Sequence, residues 1–249
     1  MKILIAGYGF VGKAHHEVLK HYHDIEIYDP ALKYKHFGVP DAIIVCVSTP
    51  QGSHGGCHMD NVYDVINTAP HHIPILIKST ISLEGWNMLT HTFPNKPLTF
   101  SPEFLRAATA EEDFKNTKQI MLGGDQHMFW ADLFGEAMDV DIKISEPEEL
   151  ILAKYFRNAF LATKVAFFNQ IHDLCQATGT DYGQVAAYVS EDSRIGESHT
   201  TVTEQRGFGG HCFPKDASAI INTGKKYKVD LSIIDDAVKY NLMIRKDNT

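Results

Sequence analysis

The stretch Gly7-Tyr-Gly-Phe-Val-Gly12 constrains this chain more than any other. It follows a short apolar run, Lys2 to Ala6, of the kind found in a buried parallel strand. A helical pattern from Val11 to about Tyr22 comes next, then a second strand, Ile25 to Tyr28, that ends at Asp29. Strand, G-x-G-x-x-G, helix, strand and an acidic residue about 20 positions on form the dinucleotide fingerprint in its required context. Gly7 allows the tight turn, Gly9 admits a pyrophosphate, and Gly12 lets helix and strand pack closely. Gly7, Tyr8, Gly9, Phe10, Val11 and Gly12 together are the expected cofactor loop, with the anion at the helix N-terminus. Asp29 can bond both ribose hydroxyls. An acid there repels a 2′-phosphate, so the expected cofactor is NAD rather than NADP. An ordinary βα turn is the plainer reading of the same residues.

Strands and helices then alternate. Ala42–Val47 ends in Ser48-Thr49-Pro50, Ile75–Lys78 in Ser79-Thr80, and Leu98–Phe100 in Ser101-Pro102-Glu103. Two more strands are expected at Ile120–Leu122 and Ile142–Ile144, with a helix near Gln126–Gly135 between them. Asp60 is placed to cap a helix running to Ala69. Alternation of this kind predicts a parallel sheet covered by helices. Thr49, Thr80 and Glu103 all follow strands, so they are expected to line the crevice where α/β ligands gather. Capping or turn chemistry would explain each of them singly. The loop from Gln51 to His58 carries His54, Cys57 and His58. No fourth ligand stands at zinc-like spacing, so it reads as a polar surface loop and no metal is expected.

The pattern changes after Ile144. Glu146 to about Thr178 reads as one long helix whose apolar stripe includes Leu150, Ala153, Leu161, Val165 and Phe168. Lys154 and Asn158 are four apart and share one of its faces. A shorter helix is expected at about Asp181–Val189 and an irregular segment at 190–206. Then comes Gly207-Phe-Gly-Gly-His-Cys-Phe-Pro-Lys-Asp216. Pro214 suits a first helical turn, so a helix is expected from there to Tyr227. Cys212 would precede it, where the positive end of the dipole favours a thiolate. The three glycines permit φ > 0 and close approach of a ligand. A buried structural cysteine is the competing reading. Helical periodicity returns from Leu231 to about Lys246. The expected architecture is therefore α/β: an N-terminal Rossmann-like parallel sheet, residues 1–145, followed by an all-helical domain, residues 146–249, with the boundary near Ser145–Glu149.

Composition narrows the class. A net charge of −8 without clustered Lys and Arg argues against a protein that grips nucleic acid. No apolar stretch approaches the ~20 residues of a membrane span. The N-terminus runs straight into the glycine loop and does not read as a signal peptide. Cys46, Cys57, Cys175 and Cys212 fall in no disulfide framework, which fits thiols kept reduced in the cytoplasm.

On these residues the chain resembles the nucleotide-sugar dehydrogenases typified by UDP-glucose 6-dehydrogenase and GDP-mannose 6-dehydrogenase. The resemblance rests on Gly7–Gly12 with Asp29, Val47-Ser-Thr-Pro50, Lys78-Ser-Thr80, Ser101-Pro-Glu-Phe-Leu-Arg106, Glu149-Leu-x3-Lys154-x3-Asn158 and the Gly207–Asp216 stretch. It implies NAD-dependent oxidation of a sugar primary alcohol to the carboxylate in two steps. Cys212 would attack the intermediate aldehyde and carry a thioester. Lys154 and Asn158 would stabilise the oxygen that gains charge, and Asp216 would support proton transfer. Glu103 would be the base in thioester hydrolysis, with Thr80 placing the water. Thr49, Thr80 and Lys215 would lie at the cofactor. Glu103, Phe104, Leu105, Lys154, Asn158, Phe208 and Gly209 would lie at the sugar. A homodimer through the helical domain is expected, because the last helix leaves Leu231, Ile234, Val238 and Leu242 in need of cover.

The chain departs from the family pattern in places. Ala107 stands where the family usually has a second acid, and His211 where it usually has serine or another small or polar residue. The stretch from Asp29 to Ala42 is short, and the chain ends at Thr249 before the family's second Rossmann-like domain. Two other readings are therefore kept. One is a catalytically weak NAD-binding relic or partner-dependent subunit. The other is a two-electron hydroxyacid-type dehydrogenase, which also pairs a Rossmann domain with Lys and Asn one turn apart on a helix but has no need of Cys212.

Overall fold

The computed structural model describes residues 1–34, 36–52, 56–210 and 212–246. It divides into two compact units, Met1–Gly52 with Cys57–Lys154, and a second unit whose main body begins at Tyr155.

The first unit carries β1 (Lys2–Ala6), α1 (Phe10–Leu19), β2 (Asp24–Tyr28), a 3₁₀ turn (Pro30–Leu32), β3 (Ala42–Val45), α2 (Asp60–Thr68), β4 (Ile75–Ile77), α3 (Leu83–Thr92), β5 (Leu98–Phe100), α4 (Ala110–Lys115), β6 (Gln119–Gly124), α5 (His127–Ala137) and β7 (Asp141–Ile144). The strands form one sheet in the order β2-β1-β3-β4-β5-β6-β7. Strands β1 to β5 are parallel. The inner strands β1, β3 and β4 read as apolar runs because both faces are covered, whereas edge strand β2 carries Asp24 and Glu26. Ile3, Ile5, Ala42, Ile44 and Leu76 point to one face, where Ala14, Val18 and Leu19 of α1, Phe114 of α4, and Trp130, Leu133 and Phe134 of α5 pack on them. Leu4, Ile43, Val45, Ile75 and Ile77 alternate to the other side and are equally buried. Each such side chain contributes about 1.5–3 kcal/mol by leaving water.

The sheet is parallel as expected except at one pair near the far edge. Strand β6 runs antiparallel to β5, and β7 parallels β6. The cause lies in the connection. Helix α4 has only 6 residues and packs against α1, so it advances about 9 Å and does not carry the chain back across the sheet. The next strand therefore starts from the edge where β5 ended. The short stretch after Asp29 likewise holds only the 3₁₀ turn, which leaves β2 as the other edge strand.

Asp60 does not cap α2. It is the helix's first residue, after Met59, and no side chain caps that end. The other end is held by a lysine: Lys96 Nζ donates to the carbonyls of Ile66, Asn67 and Ala69, which have no partner within the helix.

Helix α6 (Pro147–Thr178) opens in the first unit and continues into the second, followed by α7 (Tyr182–Ser190), α8 (Phe213–Lys226) and α9 (Ser232–Ile244). The expected α6 stripe is displaced, since Ala153 is exposed and Leu161 and Val165 are half-buried. The buried row is Tyr155, Ala159, Ala162 and Ala166. Ala162 and Ala166 form a small core with Phe208, against which Val165, Phe213, Ala237, Val238 and Tyr240 pack. Small residues on α6 leave room for those larger side chains. Val238 is thus covered within its own chain.

The contact between α1 and β1 is the tightest in the first unit. A Cβ added at Gly12 would lie 2.0 Å from the Gly7 carbonyl oxygen and 3.3 Å from Ile5. The Gly7 backbone cannot yield, and the Ile5 methyl closes the other side. Gly12→Ala is expected to cost about 2–4 kcal/mol and to weaken NAD binding. Urea unfolding and NAD titration of the variant measure both, and a wild-type midpoint would refute the close-packing account.

Candidate active site

The cofactor loop is built as its glycines require. Gly7 has φ +93°, and a Cβ there would meet the Cys46 backbone at 2.6 Å. Gly9, at the N-cap of α1, would meet nothing within 4 Å, so the backbone at this end stands open. No side chain caps the helix there, which leaves the first-turn N–H groups of a 10-residue helix available to an anion. Asp29 is fixed beside them: its Oδ2 accepts from Tyr8 N at 2.8 Å and its Oδ1 from Ala31 N at 3.1 Å. Tyr8 is braced by its hydroxyl on His16 Nδ1 (2.7 Å) and by edge contact with Tyr34. Phe10 packs on the core and Val11 gives its carbonyl to His15. Open backbone at Gly9 beside a carboxylate held by two N–H groups fits NAD's pyrophosphate and ribose.

At the strand ends Thr49 is buried and Thr80 half-buried. Ser79 Oγ ties the β3 and β4 ends together by donating to Val47 O at 2.7 Å. Glu103 follows β5 and sits among charged groups. Its Oε2 lies 3.2 Å from Lys78 Nζ, whose side chain is 3% exposed. Lys78 Nζ also donates to Ser101 Oγ at 2.9 Å, while Glu103 Oε1 accepts from Phe104 N at 2.8 Å. Burial pushes the Glu103 carboxyl up, but Lys78, His15, the Phe104 N–H and Lys154 together outweigh it and hold the group below the ordinary carboxylate range. Lys154 is itself buried. Leu105 packs on the core of the sheet domain, and Ala107 is exposed.

A second constellation lies at the start of α8. Cys212 is exposed at the N-cap and Pro214 is in the first turn, as expected. Asp216 is 1% exposed. Its Oδ2 accepts from Asn158 Nδ2 at 2.7 Å and its Oδ1 from Lys215 Nζ at 2.8 Å. Lys215 is thus held to Asp216. In the preceding loop Gly207 and Gly210 have φ +53° and +75°, whereas Gly209 has no positive φ. The Phe208 side chain is buried, and Asn241 takes both its backbone groups, accepting from N at 2.6 Å and donating to O at 3.0 Å. Phe208 anchors the loop. Arg206 braces it further, donating to Asn169 Oδ1 at 2.9 Å and Asp173 Oδ1 at 2.5 Å.

His54 and His211 lie outside the described residues. Cys57 forms an isolated bridge with Gln51, and His58 lies 3.5 Å from Asp60. Lys78 and His15 are site residues to which the sequence reading gave no role. A lysine ending a buried strand, in Lys78-Ser-Thr80, was the available signal, because such a charge needs a buried partner. His15 gave none.

A glycine loop between β1 and α1, with Asp29 ending β2, defines an NAD-binding Rossmann-type domain. The chain belongs to the UDP-glucose/GDP-mannose dehydrogenase family: residues 32–133 match its NAD binding domain and residues 149–242 its central domain. It is 33% identical over 216 residues to a UDP-glucose 6-dehydrogenase of Rickettsia typhi, covering 81% of this chain and 49% of that one. The chain thus spans about half the length of the curated relatives it matches. Two solved structures share its fold. A UDP-glucose dehydrogenase from Pyrobaculum islandicum superposes with TM-score 0.85 at 23% identity, over 97% of this chain and 68% of that one. The 3-hydroxyisobutyrate dehydrogenase of Mycobacterium tuberculosis gives 0.74 at 15%, over 97% and 93%. Among the described residues no helix is long and apolar enough to cross a membrane.

The buried His15 ring carries a pH signature. Burial first, and Lys78 second, lower its pKa from 6.5 to about 4, against the opposing effect of Glu103 and the Val11 carbonyl. The unfolded chain takes up this proton near pH 6.5 and the folded chain only near 4. Stability is therefore present above 6.5 and is lost as pH falls toward 4. His15→Phe is expected to flatten that acid-side loss by up to one proton's slope in denaturant midpoint against pH. Parallel curves for the two proteins would refute it.

Proposed function

We propose that this chain oxidises the primary alcohol of a nucleotide sugar of the UDP-glucose type to the carboxylate, through a thioester on Cys212. The observation that carries the reading is Cys212 itself, exposed at the N-terminus of the 14-residue α8 behind a glycine-rich loop. A dehydrogenase that stopped at the aldehyde would not need a thiolate there. When bound, NAD accepts a hydride in each of the two oxidations. Between them the Cys212 sulfur bonds to the aldehyde carbon, and the oxygen gains charge that Lys154 and Asn158 stabilise. Asp216 supports the accompanying proton transfer, and Lys215 sets the charge around it. Water placed by Thr80 then adds to the thioester, its proton passing to Glu103. The C–S bond breaks with its electron pair returning to sulfur. Thr49 lines the cofactor side, and Phe104, Leu105 and Gly209 the sugar side.

The reading includes a cytoplasmic homodimer. Phe156, Phe160, Phe167 and Leu174 are exposed along α6, and their spacings of 4, 7 and 7 place them in one stripe. Ile233, Leu242 and Met243 are exposed on α9. Sedimentation at micromolar concentration is expected to give a dimer; a monomer alone would defeat this part of the reading.

A two-electron reading stands beside it because the hydroxyisobutyrate dehydrogenase shares the fold over nearly its whole length. The stoichiometry of NADH under limiting sugar nucleotide separates the two. UDP-glucose, GDP-mannose and UDP-N-acetyl sugars form the panel. Two NADH per substrate are expected, with Cys212→Ala lowering turnover at least ~10³-fold. One NADH per substrate, unaffected by the mutation, would establish the two-electron reading instead.

A further inference from the structure

Two buried polar atoms in the first unit face each other with no donor between them. His15 Nε2 and Glu103 Oε2 are 4.0 Å apart. Each is inaccessible to solvent, and neither has a hydrogen-bond partner among the described residues. The ring has little freedom to turn away. It is 0% exposed, stacks on Phe114 at 4.1 Å between centroids, and has its Nδ1 2.9 Å from Val11 O. A carbonyl only accepts, so Nδ1 carries the proton and Nε2 presents a lone pair to the carboxylate. Lys78 gives two of its three hydrogens to Ser101 Oγ and the Pro102 carbonyl and pairs with Oε2 as a charge at 3.2 Å, and it offers nothing to His15 Nε2.

We propose that His15 is a positioning residue for the base of the acyl-release step: its Nε2 lone pair, locked opposite Glu103, makes that carboxylate a stronger proton acceptor. The inference rests on the thioester reading above. While Glu103 is ionised, its charge lies against the negative end of the imidazole dipole. When the attacking water gives its proton to either carboxyl oxygen, that charge is gone, and a proton on Oε2 can be donated to Nε2. Proton uptake thus turns an acceptor–acceptor contact into a donor–acceptor one.

The groups that face Glu103 pull in opposite directions. Burial favours the neutral form, while Lys78, the charge His15 carries when protonated, the Phe104 N–H and Lys154 favour the ionised form. A protonated His15 would side with the lysines, but burial and Lys78 hold the ring neutral until about pH 4. Cys46, whose thiol burial pushes far up, brings no charge to the cluster at neutral pH. At working pH His15 is therefore the side chain whose dipole offsets the two cations. Without it, Glu103 would be easier still to ionise and poorer at taking a proton.

His15→Phe keeps the ring stack and removes the nitrogen. Rapid-quench turnover with NAD and UDP-glucose, trapping the acyl-enzyme with hydroxylamine, separates the steps. The variant is expected to form the thioester at the wild-type rate and release it about tenfold more slowly. Hydroxamate yield should rise, and the acid limb of the release rate should move to lower pH. Wild-type release at every pH in the variant would overturn the proposal. Equal slowing of thioester formation and release would also overturn it, since that is the mark of a merely structural role. Absence of hydroxamate from the wild type would defeat the thioester reading instead. The coupling can then be read without turnover, from ¹⁵N spectra of the histidine rings, with the His15 signal assigned by its loss in the variant. Its Nε2 resonance is expected to shift in two steps on acidification, one of which disappears in Glu103→Gln. A single step, unchanged in that variant, would overturn the coupling itself.

Discussion

Helix α1 lies against β1 at a separation that no side chain allows, with the Gly7 carbonyl where a Cβ of residue 12 would be. Much of the first unit's chemistry depends on that contact. It presents the open backbone at Gly9 beside Asp29. It also presses the next turn of α1 toward the sheet, so that His15 is wholly enclosed between Phe114 and Glu103. The same approach that makes a dinucleotide cradle at one end of the helix thus delivers an imidazole to a carboxylate one turn further on. Gly12 therefore bears on both features at once.

The buried charges of the first unit are arranged as a compensated set. Two lysines, Lys78 and Lys154, are each about 5% exposed or less, and a buried cation without a counterion is costly. Glu103 answers them. Its own burial would neutralise it in isolation, so each side of the cluster keeps the other ionised. Removing either partner would leave an uncompensated charge, which is more destructive than removing the whole set.

Much of this was legible in the sequence. The first two strands, α1 and Asp29 stand where the fingerprint put them, because Gly7 and Gly12 each have a steric reason that ordinary βα turns lack. Cys212 and Pro214 fall at the start of α8 for an equally local reason, the fixed φ of proline. What could not be read depended on distant partners. The reversal at β6 follows from the shortness of α4, which no periodicity over six residues reveals. The shift of the α6 stripe follows from packing Phe208 and Phe213 against Ala162 and Ala166: Leu150 and Phe168 are buried as expected, but small residues fill much of the buried side while Phe156, Phe160 and Phe167 are exposed. Helix α3 was missed because Gly85 and its threonines weaken the pattern, although Ser82 caps it by accepting from Gly85 N at 3.0 Å. The partners of Glu103 were invisible for the plainest reason: His15, Lys78 and Glu103 are far apart in the chain.

The two buried carboxylates differ in a way that assigns their roles. Both oxygens of Asp216 are taken by charged or amide donors, Asn158 on one side and Lys215 on the other. Such a carboxylate can orient its donors, but a proton could reach it only by displacing one of them. Glu103 has one oxygen fixed by a backbone N–H and the other paired with Lys78 as a charge at 3.2 Å while it faces the His15 ring at 4.0 Å. Protonation there breaks no hydrogen bond; it gives up the charge pairing with Lys78 and gains a donor toward the His15 ring. The division between an orienting acid and an accepting base is therefore set by what surrounds each group, not by the residue types, which are both simple carboxylates. On the proposed thioester reading, that physics makes Glu103 the group to take the proton of the attacking water, and Asp216 the group to hold Asn158 and Lys215 in place beside Cys212.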